Sequence, residues 1–422
     1  MSRLGLITAL TGLGLGLLSG CGGSDGASIS GGGGPPPTDN NVATITVDAG
    51  PTVNGLPLNP PDANVLFTSV TICAPGSTTQ CQTIDHIQVD TGSTGLRILA
   101  SELASSLNLP PVNTGNSGSP LAECYVFADG YIWGPIESAD MQIAGESASS
   151  VELQVIGDPN YTTVPSDCSS VGGTNEDTVM AFGARGILGV APFAQDCGSF
   201  CTAGAPAAWY YACPHPNSCQ NASVSLIEQV LNPVTLFAAD NNGVIIQLPT
   251  VSDAGAASVS GSLIFGIGTQ SNNGIGSGLA VLLLDPTTGY FTTTYKGTAL
   301  TQSYLDSGSN GLFFNDPSIM ACTDAPDFFC PASTLNLTAT NSSASDTGSG
   351  TSSVVNFSVA NADALANNNP SFVAFSNLAG PASMNSPSQS FDWGLSFFYG
   401  RSVFTAVEGM NTPAGMGPYF AY

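Results

Sequence analysis

Basic residues are scarce in this chain. Its 422 residues include five Lys plus Arg against thirty Asp plus Glu, so the formal net charge is −25 at pH 7. Because nucleic acids and anionic lipid surfaces are recognised by positive charge, neither is an expected partner. Carboxylates that lose their charge in acid suit a protein that meets low pH, although an acidic surface also keeps secreted proteins soluble.

Histidine is equally scarce, with only His86 and His215 in the sequence. A Ser/His/Asp triad therefore has few candidate bases, and no Gly-x-Ser-x-Gly turn occurs after residue 42 to carry its nucleophile. The zinc-protease helix motif, the phosphate-binding loop and the dinucleotide fingerprint are missing as well. We therefore expect no cofactor and no metal.

The apolar run at the N-terminus is too short and too rich in glycine to span a bilayer. Arg3, the run at 4–18 and then Ser-Gly-Cys have the layout of an export signal over 1–20. Leu-Ser-Gly-Cys resembles the lipobox of bacterial lipoproteins, which implies a lipid anchor on Cys21 and a place in the bacterial cell envelope. Gly22 after that cysteine favours the outer membrane.

Residues 22–42 contain Gly, Ser, Pro and few apolar side chains. Such a segment buries too little apolar surface to offset the entropy of ordering, so we predict a lipidated tether over 21–42. The remaining stretch of about 380 residues is long enough for two domains.

The cysteine count independently favours an exported protein. Eleven cysteines less Cys21 leave ten, enough for five disulfides. Two pairs are close enough in sequence to close local loops: Cys73 with Cys81 and Cys322 with Cys330. Four others are expected to pair among themselves: Cys197, Cys201, Cys213 and Cys219. A zinc site at these four is the alternative, but their irregular spacing and an oxidising compartment favour disulfides.

Short runs of β-branched and aromatic residues, separated by Gly, Pro, Asn and Asp, predict a mostly β protein. The clearest predicted strands are 43–47, 67–73, 86–90, 150–156, 243–248 and 261–267. Helical pattern is restricted to 97–107 and 223–231, and 337–353 is predicted to be an exposed polar loop or hairpin.

An internal repeat is the most informative feature. Residues 89–98 (VDTGSTGLRI) are echoed by 305–314 (LDSGSNGLFF). One Asp-hydroxyl-Gly-Ser on its own is most simply an Asx-turn at a strand end. Two copies, each at the end of a strand, are the arrangement needed to bring two carboxylates together between two related halves.

The pair of loops resembles the pepsin-like aspartic peptidases. Gly186–Val190 and Asp392–Leu395 resemble the apolar-apolar-Gly strands that flank the two catalytic loops, and 261–268 and the C-terminal strands are similar to further landmarks of that family. The resemblance implies a bilobal β-barrel fold with the active cleft between related lobes, at 43–252 and 253–422. The chain is also similar to a bacterial family of putative lipoproteins with no assigned activity.

The resemblance implies that Asp90 and Asp306 form the catalytic dyad. The residues that would support it are Thr91, Gly92, Ser93, Ser307, Gly308 and Ser309. In the family, the hydroxyl directly after each Asp crosses to the opposite loop, the glycine permits a tight turn, and the last serine bonds the outer carboxylate oxygen.

The sequence departs from the family at Arg97, where an aromatic residue usually supports a tyrosine of the flap, the hairpin that covers the cleft. The flap is expected within 123–136, with Tyr125, Phe127 and Tyr131 as candidates. Two hypotheses therefore stand: a monomeric, anchored aspartic endopeptidase acting on polypeptides, or a catalytically silent lipoprotein that holds a peptide or glycan in the same cleft.

Overall fold

The computed structural model describes residues 40–344, 351–382 and 389–422. The predicted signal, Cys21 and the tether up to residue 39 lie outside the described residues. The last residues of the predicted tether already belong to the fold. Asn41 is buried and its side-chain amide donates to the Phe265 carbonyl over 2.9 Å, and Val42 begins the first strand.

The described residues are mostly β, as predicted. The strands are β1 (Val42–Val47), β2 (Thr52–Val53), β3 (Leu56–Pro57), β4 (Leu66–Cys73), β5 (Cys81–Asp90), β6 (Thr94–Leu99), β7 (Leu121–Val126), β8 (Gly130–Ile143), β9 (Glu146–Ile156), β10 (Thr174–Asn175), β11 (Gly186–Val190), β12 (Tyr210–His215), β13 (Ser218–Asn221), β14 (Gly243–Leu248), β15 (Val259–Phe265), β16 (Val281–Leu283), β17 (Phe291–Tyr295), β18 (Thr298–Leu305), β19 (Leu312–Phe314), β20 (Leu335–Ser342), β21 (Ser352–Val359), β22 (Ala379–Gly380), β23 (Phe391–Trp393), β24 (Arg401–Ala406), β25 (Asn411–Thr412), β26 (Gly415–Met416) and β27 (Tyr419–Ala421).

Helices are short throughout the described part. The α-helices are α1 (Ser166–Ser169), α2 (Val179–Phe182), α3 (Ser199–Ala203), α4 (Ala362–Asn368) and α5 (Leu395–Phe398), and 3₁₀ turns cover Ala100–Glu102, Leu226–Glu228 and Pro233–Leu236. No helix in these described ranges is long and apolar enough to cross a membrane.

The two halves of the chain repeat one local arrangement. In the first half β11 lies between β5, to which it is parallel, and β6, to which it is antiparallel. In the second half β23 lies in the same way between β18 and β19. Asp90 ends β5, and Asp306 directly follows β18. Each of these strands pairs with a buried strand, β11 or β23, and this pairing fixes the loop that carries the aspartate.

A shared sheet joins the halves. Strand β1 pairs with β15 along its whole length, β15 pairs with β14, and β14 continues through β24 to β27. The proposed boundary between residues 252 and 253 falls in the connection between β14 and β15, and the position of this boundary stays a prediction.

The two helical predictions are wrong. Residues 94–99 form β6, followed by one 3₁₀ turn, and 223–231 contains only another such turn. Every residue of β6 is buried, and β9 and β11 pair with it on its two edges. A short apolar run buried on both faces has no period that separates strand from helix, and tertiary pairing decided it.

Five disulfides are formed, as the cysteine count predicted. They join Cys73 to Cys81, Cys124 to Cys168, Cys197 to Cys201, Cys213 to Cys219, and Cys322 to Cys330. The four cysteines considered as zinc ligands are thus all in disulfides. The predicted polar hairpin is bounded by the paired strands β20 and β21, and residues 345–350 at its tip lie outside the described residues.

Candidate active site

The first loop holds the carboxyl of Asp90 at the end of β5. The backbone N–H of Gly92 donates to its Oδ1 over 2.7 Å, and the Ser93 hydroxyl donates to its Oδ2 over 2.5 Å. The side chain is almost completely buried. Both oxygens therefore have fixed donors, and the turn presents the carboxyl in one orientation.

The second loop makes the same bonds to Asp306. The Gly308 N–H donates to Oδ1 over 2.8 Å and the Ser309 hydroxyl lies 2.8 Å from Oδ2. The backbone N–H of Asp306 donates to the backbone carbonyl of Trp393 in β23 over 3.1 Å. The buried indole N–H of Trp393 donates to the Thr293 hydroxyl oxygen over 3.0 Å. The loop is therefore fixed from behind by a large core side chain.

The residues after each Asp lock the two loops together. The Thr91 N–H donates to the Ser307 hydroxyl oxygen over 3.1 Å, and the Ser307 N–H donates to the Thr91 hydroxyl oxygen over 2.9 Å. Each hydroxyl in turn donates across to a carbonyl, Thr91 to Leu305 over 3.0 Å and Ser307 to Val89 over 2.8 Å. This reciprocal, buried network leaves the relative position of the loops little freedom.

The structure brings the two dyad candidates together. The carboxyls of Asp90 and Asp306 lie close enough to interact directly. A Cβ built on Gly92 would lie 2.5 Å from Cγ of Asp306, so only glycine permits this approach. Burial, followed by the charge of Asp306, raises the pKa of Asp90 well above its usual range. The pair therefore retains a proton above the pH at which a free aspartate has lost it.

A third carboxyl adjoins the dyad, and the sequence analysis did not identify it as a site residue. Asp392 in β23 is buried, and its Oδ2 lies 2.6 Å from the Ser309 hydroxyl that also contacts Asp306. Burial raises the pKa of Asp392 well above its usual range, and the charges of Asp306 and Asp90 add to this. A signal was present in the sequence: an acidic residue within a strand motif whose counterpart, Gly186–Val190, is apolar.

The dyad lies at the bottom of a cleft of about 360 Å³ between the halves. Aromatic and apolar side chains make up about half of its wall. They are Tyr125, Val126, Phe127, Ala191, Pro192, Phe193, Tyr290, Tyr304, Leu305 and Phe420. Among the described lining residues, the dyad carboxyls are the only charged groups and there is no histidine.

The flap candidates separate into two groups. Tyr125 and Phe127 lie at the tip of the β7–β8 hairpin and line the cleft. Tyr131 packs instead with Trp133 and the Cys124–Cys168 disulfide in a core on the other side of the hairpin. Tyr125 and Phe127 are thus the flap candidates that the structure places at the cleft.

Arg97 occupies the position under the flap. Its guanidinium is fully buried, lies 2.9 Å from Glu123 and 3.0 Å from Asp196, and stacks 3.8 Å from the centre of the Tyr125 ring. The Tyr210 hydroxyl contacts both oxygens of Asp196 over 2.8 Å. Because Glu123 belongs to the flap strand β7, this cluster ties the flap to the body of the first half.

Potential metal ligands come together at one place among the described residues. One group of three potential ligands comes close enough together, Cys322, Cys330 and Asp363. The two cysteines form a disulfide, so neither offers a thiolate.

Comparison with known proteins places the chain in a broad structural context. A family model described as "Protein of unknown function (DUF3443)" matches residues 37–422. A search of curated proteins finds no match. Among solved structures, the chain is similar to an aspartic proteinase from Irpex lacteus, with a TM-score of 0.50 and 12% identity, over 90% of this chain and 96% of that one. At this identity the likeness shows the fold alone, and it confirms the predicted bilobal pepsin-like fold.

Proposed function

We propose that this chain, which belongs to the DUF3443 family of unknown function, is an aspartic endopeptidase. The observation that carries the proposal is the close approach of two carboxyls, Asp90 and Asp306, on two reciprocally locked loops. Two carboxyls so close do not both ionise at low cost, so they share one proton over a range of pH.

The reaction follows from that shared proton. The ionised carboxylate takes a proton from a water molecule, whose oxygen attacks the peptide carbonyl carbon. The protonated carboxyl gives its proton to the carbonyl oxygen, and a proton then reaches the leaving nitrogen as the C–N bond breaks. The residues Thr91, Gly92, Ser93, Ser307, Gly308 and Ser309 hold the two carboxyls in place and take no part in bond making.

The cleft supports a polypeptide substrate with apolar side chains beside the cleaved bond. Rings from the flap, from Phe193 and from Tyr290 and Tyr304 surround the dyad, and no basic group lines this part of the described cleft. An extended chain with aromatic or aliphatic residues buries apolar surface there, whereas an acidic peptide meets a wall without positive charge. We expect no nucleic acid partner.

We further propose that the enzyme works from a membrane surface as a monomer. The lipobox-like sequence ending at Cys21 supports lipid attachment in the bacterial cell envelope, with Gly22 favouring the outer membrane. A flexible tether of about twenty residues has a root-mean-square reach of roughly 25 Å, enough to keep the cleft clear of the lipid headgroups.

A binding lipoprotein is the second candidate function. The concentration of rings at the cleft favours it, because aromatic faces hold peptides or sugars without any catalytic step. Both candidates use the same cleft, so they differ in whether the dyad turns over a substrate.

The deciding experiment is hydrolysis of an unfolded protein between about pH 3 and 7 by the chain that begins at Gly22. Asp90→Asn and Asp306→Asn are the test variants, and Asp253→Asn, an exposed carboxyl away from the dyad, is the matched control. We expect cleavage that both test variants abolish, that the control retains, and that a statine-type transition-state mimic blocks. A folded, disulfide-bonded protein that cleaves nothing at any pH would instead support the binding lipoprotein.

A further inference from the structure

Asp392 stands where the first half of the molecule has an apolar residue. In the first half, Ile187 of β11 pairs with Arg97 of β6. In the second half, Asp392 of β23 pairs with Phe313 of β19, and Phe313 is the repeat counterpart of Arg97. The repeat therefore gives Ile187 and Asp392 equivalent places, and the carboxyl is an addition made in one half only.

The hydrogen bonds around Ser309 require a proton on one of two carboxyls. The Ser309 Oγ lies 2.8 Å from Oδ2 of Asp306 and 2.6 Å from Oδ2 of Asp392. A hydroxyl has one hydrogen to donate, and an ionised carboxylate only accepts. One neighbour must therefore be a protonated acid that donates to Ser309. In the first half, Ser93 contacts the single carboxyl of Asp90 and meets no such constraint.

The surroundings favour Asp392 as the protonated neighbour. Its other oxygen, Oδ1, is buried without a hydrogen-bond partner, whereas Asp306 receives the Gly308 N–H as well as the Ser309 contact. A charge is better tolerated where donors surround it.

Among the described residues, those that the strand register and the electrostatics place beside Asp392 carry no compensating positive charge. The carboxyls of Asp306 and Asp90, on the loops after β18 and β5, act on it with negative charge. Its register partners Phe313 on β19 and Tyr304 on β18 bring an apolar ring and a phenol that is neutral in acid. Each of these favours the neutral acid, and the raised pKa of Asp392 agrees.

We propose that Asp392 is a third carboxyl of the active centre, held as a neutral acid that donates to Ser309 and thereby commits the Ser309 hydrogen to Asp306. Two hydrogen bonds in the same direction strengthen each other, so this chain stabilises negative charge on Asp306. Asp306 is then the ionised member of the dyad that takes the proton from water, and Asp90 is the acid. The catalytic consequence rests on the proposed peptidase function, while the protonation of Asp392 does not. Asp392 is a positioning residue because it acts through Ser309.

The first test counts protons and needs no activity. At about pH 6 an unfolded aspartate is ionised, since its ordinary pKa is about 3.9, whereas folded Asp392 retains its proton. We expect unfolding of the wild-type chain to release about one proton more than unfolding of Asp392→Asn, measured from the pH dependence of the denaturation midpoint. Asp253→Asn, on the surface, is the control and should match the wild type. An equal count in wild type and Asp392→Asn overturns the proposal.

The second test compares two substitutions of similar size in the peptidase assay. The amide of Asp392→Asn still donates to Ser309, so we expect kcat/KM within about twofold of wild type. Asp392→Leu removes the donor, and we expect kcat/KM to fall about threefold to tenfold, with the acidic limb of the pH profile shifted to higher pH. In a Ser309→Ala background the Leu variant should have no further effect.

The outcomes are distinguishable. An Asn variant impaired as strongly as the Leu variant, or a Leu variant indistinguishable from wild type, overturns the assigned role. If the wild-type chain cleaves nothing, the peptidase proposal fails, and the proton count still decides whether Asp392 is a neutral acid.

Discussion

Removing the buried cation under the flap is expected to destabilise the protein in a strongly pH-dependent way. Arg97 is fully buried between Glu123 and Asp196, which are also fully buried. Arg97→Met keeps an unbranched apolar stem of similar reach but leaves the two carboxyls without a positive partner. It also removes the stack against the Tyr125 ring.

The magnitude follows from the contacts. At an effective dielectric constant of about 20, unit charges about 4 Å apart attract by about 4 kcal/mol. Burial, followed by the charge of Glu123, raises the pKa of Asp196, and Arg97 opposes that rise, so Asp196 already tends to hold a proton. The variant thus loses about one strong charge pair and a desolvated cation–π contact of about 2 kcal/mol. It also avoids the desolvation cost of burying the guanidinium, which offsets part of that loss. We expect a net loss of about 3 to 5 kcal/mol in the free energy of unfolding at pH 7.

The same reasoning gives the sign of the pH dependence. Without Arg97 the folded-state pKa of Asp196 rises further, and a group with a raised folded pKa contributes stability at low pH that is lost as the pH rises. Near pH 4 Asp196 can be neutral, so the loss should shrink to about 1 to 2 kcal/mol.

Denaturant unfolding with the disulfides intact, at pH 4 and pH 7, measures both values. Arg185→Met is the matched control, because Arg185 forms ion pairs with Asp85 and Glu102 at a partly exposed site where such pairs contribute about 1 kcal/mol or less. A loss below about 1 kcal/mol for Arg97→Met at pH 7, or an equal loss at both pH values, would refute the idea that buried charge compensation supports the flap.

Three further predictions concern the cleft. Gly92→Ala should reduce kcat/KM by at least about a hundredfold because its Cβ would collide with the opposing carboxyl, whereas Gly274→Ala, which has open space around it, should leave the activity unchanged in the same assay. Tyr125→Leu should lower kcat/KM about tenfold or more, because it removes the ring that stacks on the Arg97 guanidinium. Tyr131→Phe changes a residue in the core behind the hairpin and should leave kcat/KM unchanged. Equal losses in both variants would contradict the flap assignment. The profile of kcat against pH should be bell-shaped, since the dyad works with one proton, and its alkaline limb should lie well above pH 4 because the pKa of Asp90 is raised; an alkaline limb at the ordinary aspartate pKa would contradict a shared proton.

Much of the fold and of the site was predictable from local pattern. The strands around 67–73 and 243–248 were expected from their β-branched residues, and both are present. The two Asp-hydroxyl-Gly-Ser loops could be paired because a tight turn needs the same residues in the same order in each copy. The number of disulfides followed from an even count, and the pairs Cys73–Cys81 and Cys322–Cys330 from short separations, whereas Cys124–Cys168, which spans 44 residues, was not predicted.

The wrong or incomplete predictions concern positions whose conformation or contacts depend on residues distant in the sequence. Residues 97–107 have an apolar pattern that also fits a helix, and only pairing of β6 with β9 and β11 selects the strand. The sequence offers no local partner for the charge of Arg97. Its partners in the fold, Glu123 and Asp196, lie 26 and 99 residues further along the chain.

The sequence by itself supplied the groups on which the proposed chemistry rests, two aspartates in repeated loops, together with an acidic composition, ten cysteines for disulfides and the pattern from which an export signal and lipid attachment are predicted. Those features are local, because a turn or a motif needs only its own few residues. Tertiary structure alone decided that the two aspartates touch, that Tyr125 and not Tyr131 lies at the cleft, and that Asp392 shares Ser309 with Asp306. The last contact spans 83 residues, and burial and hydrogen-bond geometry at that separation depend on how the chain packs.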